Sequence, residues 1–366
     1  MTLVFWQGII SIHQKTFLEA IAAQPAITNV LLVVEHEITP YRKNMGWDVP
    51  AITGAEIITA PSKQKIKEIV LAHKDSVHIM GGIRVGAMLA TAFDRCVKEH
   101  CKLGIMTEPY NNAGFKGRLR TLKYQYYRWQ YFRYLQFVLA IGKQGVKQYT
   151  RLGFDTRRIF PWAYFISVPP ATKTNETPTI KRIIYAGRLE AAKGIYNFTE
   201  ELIKTASDKY TLDIYGTGTD EEKLKLLITS NNAQDRIHFH PFLKYDELIK
   251  QYPLYDWVVL PSAAKDGWGV IVSEGLLNGL KAICSNICGV SWVVKNGTNG
   301  VVFDWAKEGS CREAINTMLN NDTFADAGTI SQWARNTISA EAGAAYFMHI
   351  MDCVYEDKKK PAIPWE

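Results

Sequence analysis

Residues 257–282 read WVVLPSAAKDGWGVIVSEGLLNGLKA, and the fold follows from how this stretch is parsed. Trp257 to Leu260 is a short apolar run closed by Pro261-Ser262, the pattern of a buried parallel strand ending in a turn. Asp266-Gly267-Trp268-Gly269 is a glycine-containing approach to a helix, with Val270, Ile271, Glu274, Leu277 and Asn278 following at helical spacing. A strand, a glycine loop and a helix in that order aim a group of open backbone N–H groups at one spot, which suits a phosphate. Two carboxylates, Asp266 and Glu274, bracket that spot with seven residues between them. Carboxylates repel phosphates and accept hydrogen bonds from sugar hydroxyls. The local expectation is a pocket for a phosphorylated sugar compound, specifically a nucleotide sugar.

On these residues the stretch resembles the carboxylate–seven residues–carboxylate motif of the retaining glycosyltransferases of family 4. Asp266 stands in the first position, where that family usually has Glu. The resemblance implies that Asp266 meets the donor sugar's hydroxyls and that Glu274 binds the ribose. It also implies that backbone amides of Gly267, Trp268, Gly269 and Val270 hold the distal phosphate.

Upstream, Arg182 to Ala186 reads as a strand, followed by Gly187-Arg188-Leu189 and Lys193-Gly194 before a helix from about Ile195 to Thr205. Cations between a strand end and a helix start are well placed for a diphosphate. The wording Gly-Arg-Leu…Lys-Gly resembles the family's diphosphate loop, which carries those roles to Arg188 and Lys193. Leu212 to Tyr215 and Ile237 to Phe239 read as strands, the first leading into Gly216-Thr217-Gly218. His240 to Leu243 falls where family members hold the nucleobase, so Leu243 is a candidate for its apolar wall.

Short apolar strands also alternate with helices through the first 165 residues, which argues a mostly parallel sheet with ligands collecting at the carboxyl ends of its strands. Leu3 to Trp6 is the first strand, and Gln7-Gly8-Ile9 the loop before a helix at His13. Gly8 and His13 are candidates for the sugar side of the site, with a helix-end or surface histidine as the plainer alternative. Leu103 to Met106 is a strand ending at Thr107-Glu108-Pro109. Glu108 stands where family members often have His, so it reads either as a group facing the donor sugar or as a cap for the segment after it.

Residues 115–137, FKGRLRTLKYQYYRWQYFRYLQF, hold six basic residues and nine aromatics, and no acid occurs between Glu108 and Asp155. Such a segment fits the headgroup zone of an anionic bilayer. It equally fits an ordinary helix with buried aromatics and solvated cations; stacking on single-stranded nucleic acid is a third reading. Residues 1–165 carry 22 Lys and Arg against 11 Asp and Glu, whereas the remainder is net acidic. The two halves therefore face different partners.

A chain of 366 residues, 47% hydrophobic, predicts two domains with substantial cores. The six cysteines show no zinc or haem spacing, so no metal is expected, and a reduced, cytoplasmic chain without a leader is the plain reading. The expected organisation is an acceptor-binding Rossmann-like domain over 1–165 and a Pro- and Thr-rich linker over 166–180. A nucleotide-sugar-binding Rossmann-like domain follows over 181–345, with a helix and tail over 346–366 returning to the first domain. The resemblance implies a GT-B fold, two such α/β domains facing each other across a deep cleft. It also implies transfer of a sugar, with retention, from a UDP- or GDP-linked donor and without a further cofactor. The acceptor would be a saccharide or a polyprenyl- or lipid-linked saccharide, in surface polysaccharide or lipopolysaccharide assembly at the inner face of the membrane, with no role for nucleic acid. A nucleotide-sugar epimerase of the same fold would need its own carboxylate and histidine set, and none stands out. A non-catalytic carbohydrate- or lipid-binding module would have no use for Arg188 and Lys193.

Overall fold

The computed structural model describes residues 1–44, 48–170, 179–205, 207–321 and 323–366. Two compact units emerge: Met1–Ile166 together with Ile338–Glu366, and Ser167–Thr337. Much of the expected linker, residues 171–178, lies outside the described residues.

The first unit is built on seven strands: β1 (Thr2–Ile9), β2 (Asn29–His36), β3 (Glu56–Thr59), β4 (Val77–Met80), β5 (Lys102–Thr107), β6 (Phe137–Ile141) and β7 (Ile159–Trp162). They lie in the order β3-β2-β1-β4-β5-β6-β7, and all their pairings are parallel. Helices from the crossovers cover both faces, which is why strands such as β4 and β6 are apolar and buried along their whole length. Gly8 does not sit in a loop, as expected, but inside β1. That strand runs on to Ile9 because Gln7 and Ile9 remain in register with Val34 and His36 of β2.

Residues 115–137 do not form one continuous surface element. The helix Gly114–Tyr131 ends in a short turn, Phe132–Tyr134, and Phe137 is already the first residue of β6. Tyr124, Tyr127 and Tyr131 face the core and stack edge-on along the helix, and Phe132 and Phe137 are buried too. Five of the nine aromatics of this segment are therefore ordinary packing.

After β4 the chain turns through Gly81-Gly82 and enters the helix Ala87–Lys98 from Gly86, whose φ is +80°. Glu35, from the end of β2, covers the start of this helix: its Oε1 accepts from the Met88 amide at 3.2 Å, and its Oε2 would lie 2.6 Å from a Cβ on Gly86. A carboxylate of the chain's own thus occupies the position at which a bound anion would be most favourable.

The boundary expected at 345 falls instead after Thr337, because the whole of the next helix belongs to the first unit. Ser339 caps that helix, Ala340–Tyr355, by accepting from the Ala342 amide at 3.1 Å. Its inner side packs Tyr346 on Trp162 and Phe347 on Phe5 and Phe17, with ring centroids 5.9 to 6.5 Å apart. The tail follows onto the same unit, where Lys360 donates to the carbonyls of Thr156 and Ile159, and Trp365 is buried beside Phe165.

The second unit has six parallel strands: β8 (Lys181–Ala186), β9 (Tyr210–Tyr215), β10 (Ile237–His240), β11 (Trp257–Leu260), β12 (Lys281–Ser285) and β13 (Gly300–Phe303). Their order is β10-β9-β8-β11-β12-β13. The chain winds outward in one direction from β8 and in the other from β11, so the crossover helices of these two neighbours leave towards opposite sides. A crevice opens between their carboxyl ends, the usual ligand position in this architecture.

Candidate active site

Two loops leave the carboxyl ends of β8 and β11 and are joined by their backbones. The Ala263 and Ala264 amides donate to the Ala192 carbonyl at 2.9 and 3.1 Å. Gly194, at φ +68°, lies so close to the other loop that a Cβ there would come within 2.0 Å of the Pro261 carbonyl oxygen. A side chain at 194 would be strained by its backbone angle and would also push the loops apart. Gly194→Ala is therefore expected to cost roughly 2 kcal/mol or more, measured as a lowered denaturation midpoint.

This junction fixes the charged groups. Lys193 Nζ lies 2.5 Å from Asp266 Oδ2, which also accepts from Ser262 Oγ at 3.0 Å. Ser262 is itself fully buried, and its carbonyl accepts from Ser285 Oγ. Arg188 Nη1 pairs with Glu190 at 2.8 Å, while the Arg188 carbonyl accepts from the Tyr185 hydroxyl at 2.7 Å. That hydroxyl is held well above the usual phenol range by burial and by the negative Asp266, so it stays a donor at any working pH. The Arg188 loop is shaped in turn by Gly216 and Gly218. A Cβ at Gly216 would lie 1.9 Å from the Gly187 oxygen, and one at Gly218 would lie 2.3 Å from the Leu189 oxygen. The Gly-Thr-Gly stretch after β9 is thus a close backbone approach that supports the cation loop.

Past Asp266 the chain enters the helix Val270–Leu277 through Gly269, which sits at φ +100°. The first helical amides have no partner within the helix and lie directly after the Asp266 loop. Trp268 presents only its backbone to this loop, because its ring is buried and its indole N–H donates to Ser273 Oγ at 3.0 Å. On the second turn, Glu274 is 1% exposed, and its Oε2 accepts from the Tyr252 hydroxyl at 2.7 Å. Burial pushes its pKa up to about 7, with hydrogen bonding from Tyr252 and Tyr245 pulling the other way. Its other oxygen, Oε1, is buried and has no hydrogen-bond partner among the described residues. A buried carboxylate oxygen in that condition is an acceptor left for a ligand hydroxyl.

Six of the expected residues therefore lie along this pair of loops and the helix they feed: Arg188, Lys193, Asp266, Gly267, Gly269 and Val270. Glu274 follows on the same helix, and Trp268 belongs through its main chain. Leu243 lies partly buried in the loop after β10, two residues before Tyr245. Tyr185, Tyr245, Tyr252 and Ser262 were not legible as site residues, since tyrosine in a strand or a short helix reads as core.

The candidates of the first unit form a separate group. Glu108 is exposed at the end of β5 and accepts from the Tyr164 hydroxyl at 2.7 Å. The Tyr164 ring lies 6.4 Å from that of His13, on the first turn of the helix Ile12–Ala22. His13 is kept neutral, its pKa lowered to about 4 by burial and by Arg42. Gly8 has open space where a side chain would stand. Tyr164, unremarked in the sequence, is the residue that ties Glu108 to His13.

One group of metal-capable side chains occurs among the described residues, buried His78, Cys96 and Cys101. His78 is already engaged at both ring nitrogens, accepting from the Trp6 indole and facing the His73 carbonyl, each at 3.0 Å. The trio is therefore part of the core packing.

Residues 171–337 match the family model described as Glycosyl transferases group 1. Among curated proteins, the chain is 25% identical over 142 residues to an alpha-D-kanosaminyltransferase of Streptomyces kanamyceticus, covering 38% of this chain and 36% of that protein. It is 26% identical over 124 residues to the GtfA subunit of the UDP-N-acetylglucosamine–peptide N-acetylglucosaminyltransferase of Streptococcus pneumoniae. That match covers 33% of this chain and 24% of the relative, so the chain spans well under half of the length of either. Among solved structures, the lipopolysaccharide outer core galactosyltransferase WaaB superposes with a TM-score of 0.72 at 14% identity, over 96% of this chain and 99% of that one. Anabaena HepE, in complex with UDP and glucose, gives 0.69 at 13% identity, over 96% and 99% of the two chains.

Proposed function

We propose that this chain, which has the GT-B fold and whose second unit is a group 1 glycosyl transferase domain, moves a sugar from a nucleotide-diphosphate donor to a saccharide acceptor with retention at the anomeric carbon. The observation that carries the proposal is the convergence of Lys193 and Asp266 at 2.5 Å, on joined loops that also bear Arg188 and the entrance to the helix at Val270. Cations and helix amides meeting at one place fit two linked phosphates better than any neutral ligand.

In this reading the ribose hydroxyls donate to Glu274 Oε1, and the diphosphate takes Lys193, Arg188 and the amides of Gly267 to Val270. Asp266 holds the donor sugar. As the glycosidic bond breaks, negative charge grows on the departing diphosphate, and Lys193 and Arg188, turned to it from Asp266 and Glu190, offset it. The acceptor hydroxyl attacks from the face the nucleotide leaves, through an oxocarbenium-like state. Glu108, braced by Tyr164, belongs to the acceptor-binding unit and accepts a hydrogen bond or proton there. The donor carries UDP, the nucleotide bound by the superposable HepE, with GDP as the alternative. The excess of basic residues in the first unit suits an acceptor carried on an anionic lipid, such as a polyprenyl-linked saccharide. Surface polysaccharide assembly on the cytoplasmic leaflet is the corresponding role.

The test is direct. UDP or GDP is expected to raise the midpoint of thermal unfolding, because a ligand that binds only the folded state stabilises it. With the donor sugar identified by screening, the product anomer should match the donor's. A melt that neither nucleotide moves would defeat the assignment, and an inverted product would defeat the retaining mechanism alone.

A further inference from the structure

The helix Gly114–Tyr131 has a second apolar side that nothing in the described residues covers. Phe115, Leu119, Leu122, Tyr126 and Trp129 are each more than half exposed, Phe115 at 75% and Trp129 at 81%. Their spacing alternates four and three residues, so at about 100° per residue they lie within roughly 40° of one line. That line is opposite the one formed by Tyr124, Tyr127 and Tyr131, which are buried against the sheet. The residues on the two margins of the exposed stripe include Lys116, Lys123 and Arg118, all exposed. The sequence supplies no carboxylate between Glu108 and Asp155 to neutralise them.

We propose that this stripe docks the chain on an anionic lipid bilayer, with the helix lying in the plane of the interface. A large apolar stripe rimmed by cations matches a surface that is hydrocarbon below and phosphate above. Tryptophan, tyrosine and phenylalanine are the side chains suited to that boundary, and lysine and arginine reach the phosphates while their stems stay apolar. No helix among the described residues is long and apolar enough to cross a membrane, so the contact is lateral. A second copy of this chain is the poorer occupant. A two-fold contact through the stripe would bring two cation-rimmed surfaces together, with no carboxylate on either helix to face Lys116, Arg118 and Lys123. A nucleic-acid strand is poorer too, since Leu119 and Leu122 interrupt the aromatics and offer no surface for base stacking. The inference stands on the first unit alone and does not depend on sugar transfer.

The experiment is sedimentation of the full chain with vesicles of phosphatidylcholine alone and with equimolar phosphatidylglycerol and phosphatidylcholine. The wild-type chain is expected in the pellet with the mixed vesicles, to return to the supernatant at high salt, and to remain there with phosphatidylcholine alone. Leu122→Ser with Trp129→Ser should reduce binding by about tenfold or more through lost apolar burial. Lys116→Glu with Lys123→Glu should do the same through lost attraction. All four positions are exposed, so unchanged thermal melts of both variants are expected and establish that they fold. Brominated lipid in the mixed vesicles should quench the Trp129 part of the fluorescence and leave that of the double serine variant unchanged. Equal binding of wild type and both folded variants would overturn the proposal, as would equal binding to the neutral vesicles. So would a wild-type chain that ignores both vesicle types while forming a dimer, or binding poly-uridine, that the double serine variant cannot form.

Discussion

Lys193→Ala abolishes most of the rise in melting temperature that UDP or GDP gives the wild-type chain, and it lowers transfer by about 100- to 1000-fold. The expectation follows from position. Lys193 is held beside Asp266 by a salt bridge whose partners are each about one-fifth exposed, at the junction of the two loops. A charge-assisted hydrogen bond at such a place contributes roughly 1.5–3 kcal/mol to binding, and more where charge develops during bond cleavage. The substitution also leaves that Asp266 oxygen with only the hydrogen bond from Ser262 Oγ among the described residues, so the unliganded protein should melt earlier as well. Asp266→Asn separates these effects. It frees Lys193 for the diphosphate, so protection by UDP should persist or increase, while transfer falls because the sugar has lost its carboxylate. A Lys193→Ala protein that UDP protects as well as wild type would remove Lys193 from the site.

Glu274→Gln makes the protein more stable above neutral pH and at the same time weakens its hold on nucleotide. Burial raises the folded-state pKa of Glu274 to about 7, from an ordinary carboxyl value of 4.5. A carboxyl group shifted upward favours the folded state below its unfolded pKa, and that contribution is lost as pH rises through the folded value. Between about pH 4.5 and 7 the folded chain holds the proton that the unfolded chain has released, so stability declines with rising pH. The full span of this decline is on the order of 3 kcal/mol. Glutamine cannot ionise, and the variant's stability should be flatter across that window and higher at pH 8. Its amide can present a donor where the ribose hydroxyls need an acceptor, so nucleotide affinity should fall by roughly 10- to 100-fold. Denaturant midpoints at several pH values, paired with nucleotide titrations, measure both. A variant that loses stability at pH 8 would show that the carboxylate is held for packing and not for a ligand.

The second unit was the more legible half because its candidate ligand groups are local. Arg188 and Lys193 sit within one loop, and Asp266 to Glu274 is a single turn-and-helix passage, so short motifs could carry the resemblance and the roles it implies. The tyrosines that hold those groups could not be read this way. Tyr252 reaches Glu274 from a turn 22 residues earlier, and Tyr185 looks like any buried strand residue until its hydroxyl is found on the Arg188 carbonyl. In the first unit the parallel alternation of strands and helices was plain from the apolar runs. Gly8 misled because glycine after an apolar run signals a turn, whereas pairing with β2 carries the strand past it. Composition flagged residues 115–137 but could not separate the face of Tyr124, Tyr127 and Tyr131 from that of Phe115, Leu122 and Trp129. Only the position of the sheet behind the helix does so. The first unit repeats the strand–glycine–helix plan, but there the helix start at Gly86 is already covered by the Glu35 carboxylate, which no local pattern could show.

The return of residues 338–366 to the first unit has a consequence for synthesis. During translation, residues 167–337 emerge as one continuous block and can complete their own sheet as soon as they clear the ribosome. The earlier-made half must wait, with Phe5, Phe17 and Trp162 lacking their covering helix until Phe347 and Trp365 arrive. The first half should therefore stay open to proteolysis until its last segment has been made, and a released chain truncated after Thr337 should display a protease-resistant second half beside a protease-sensitive first.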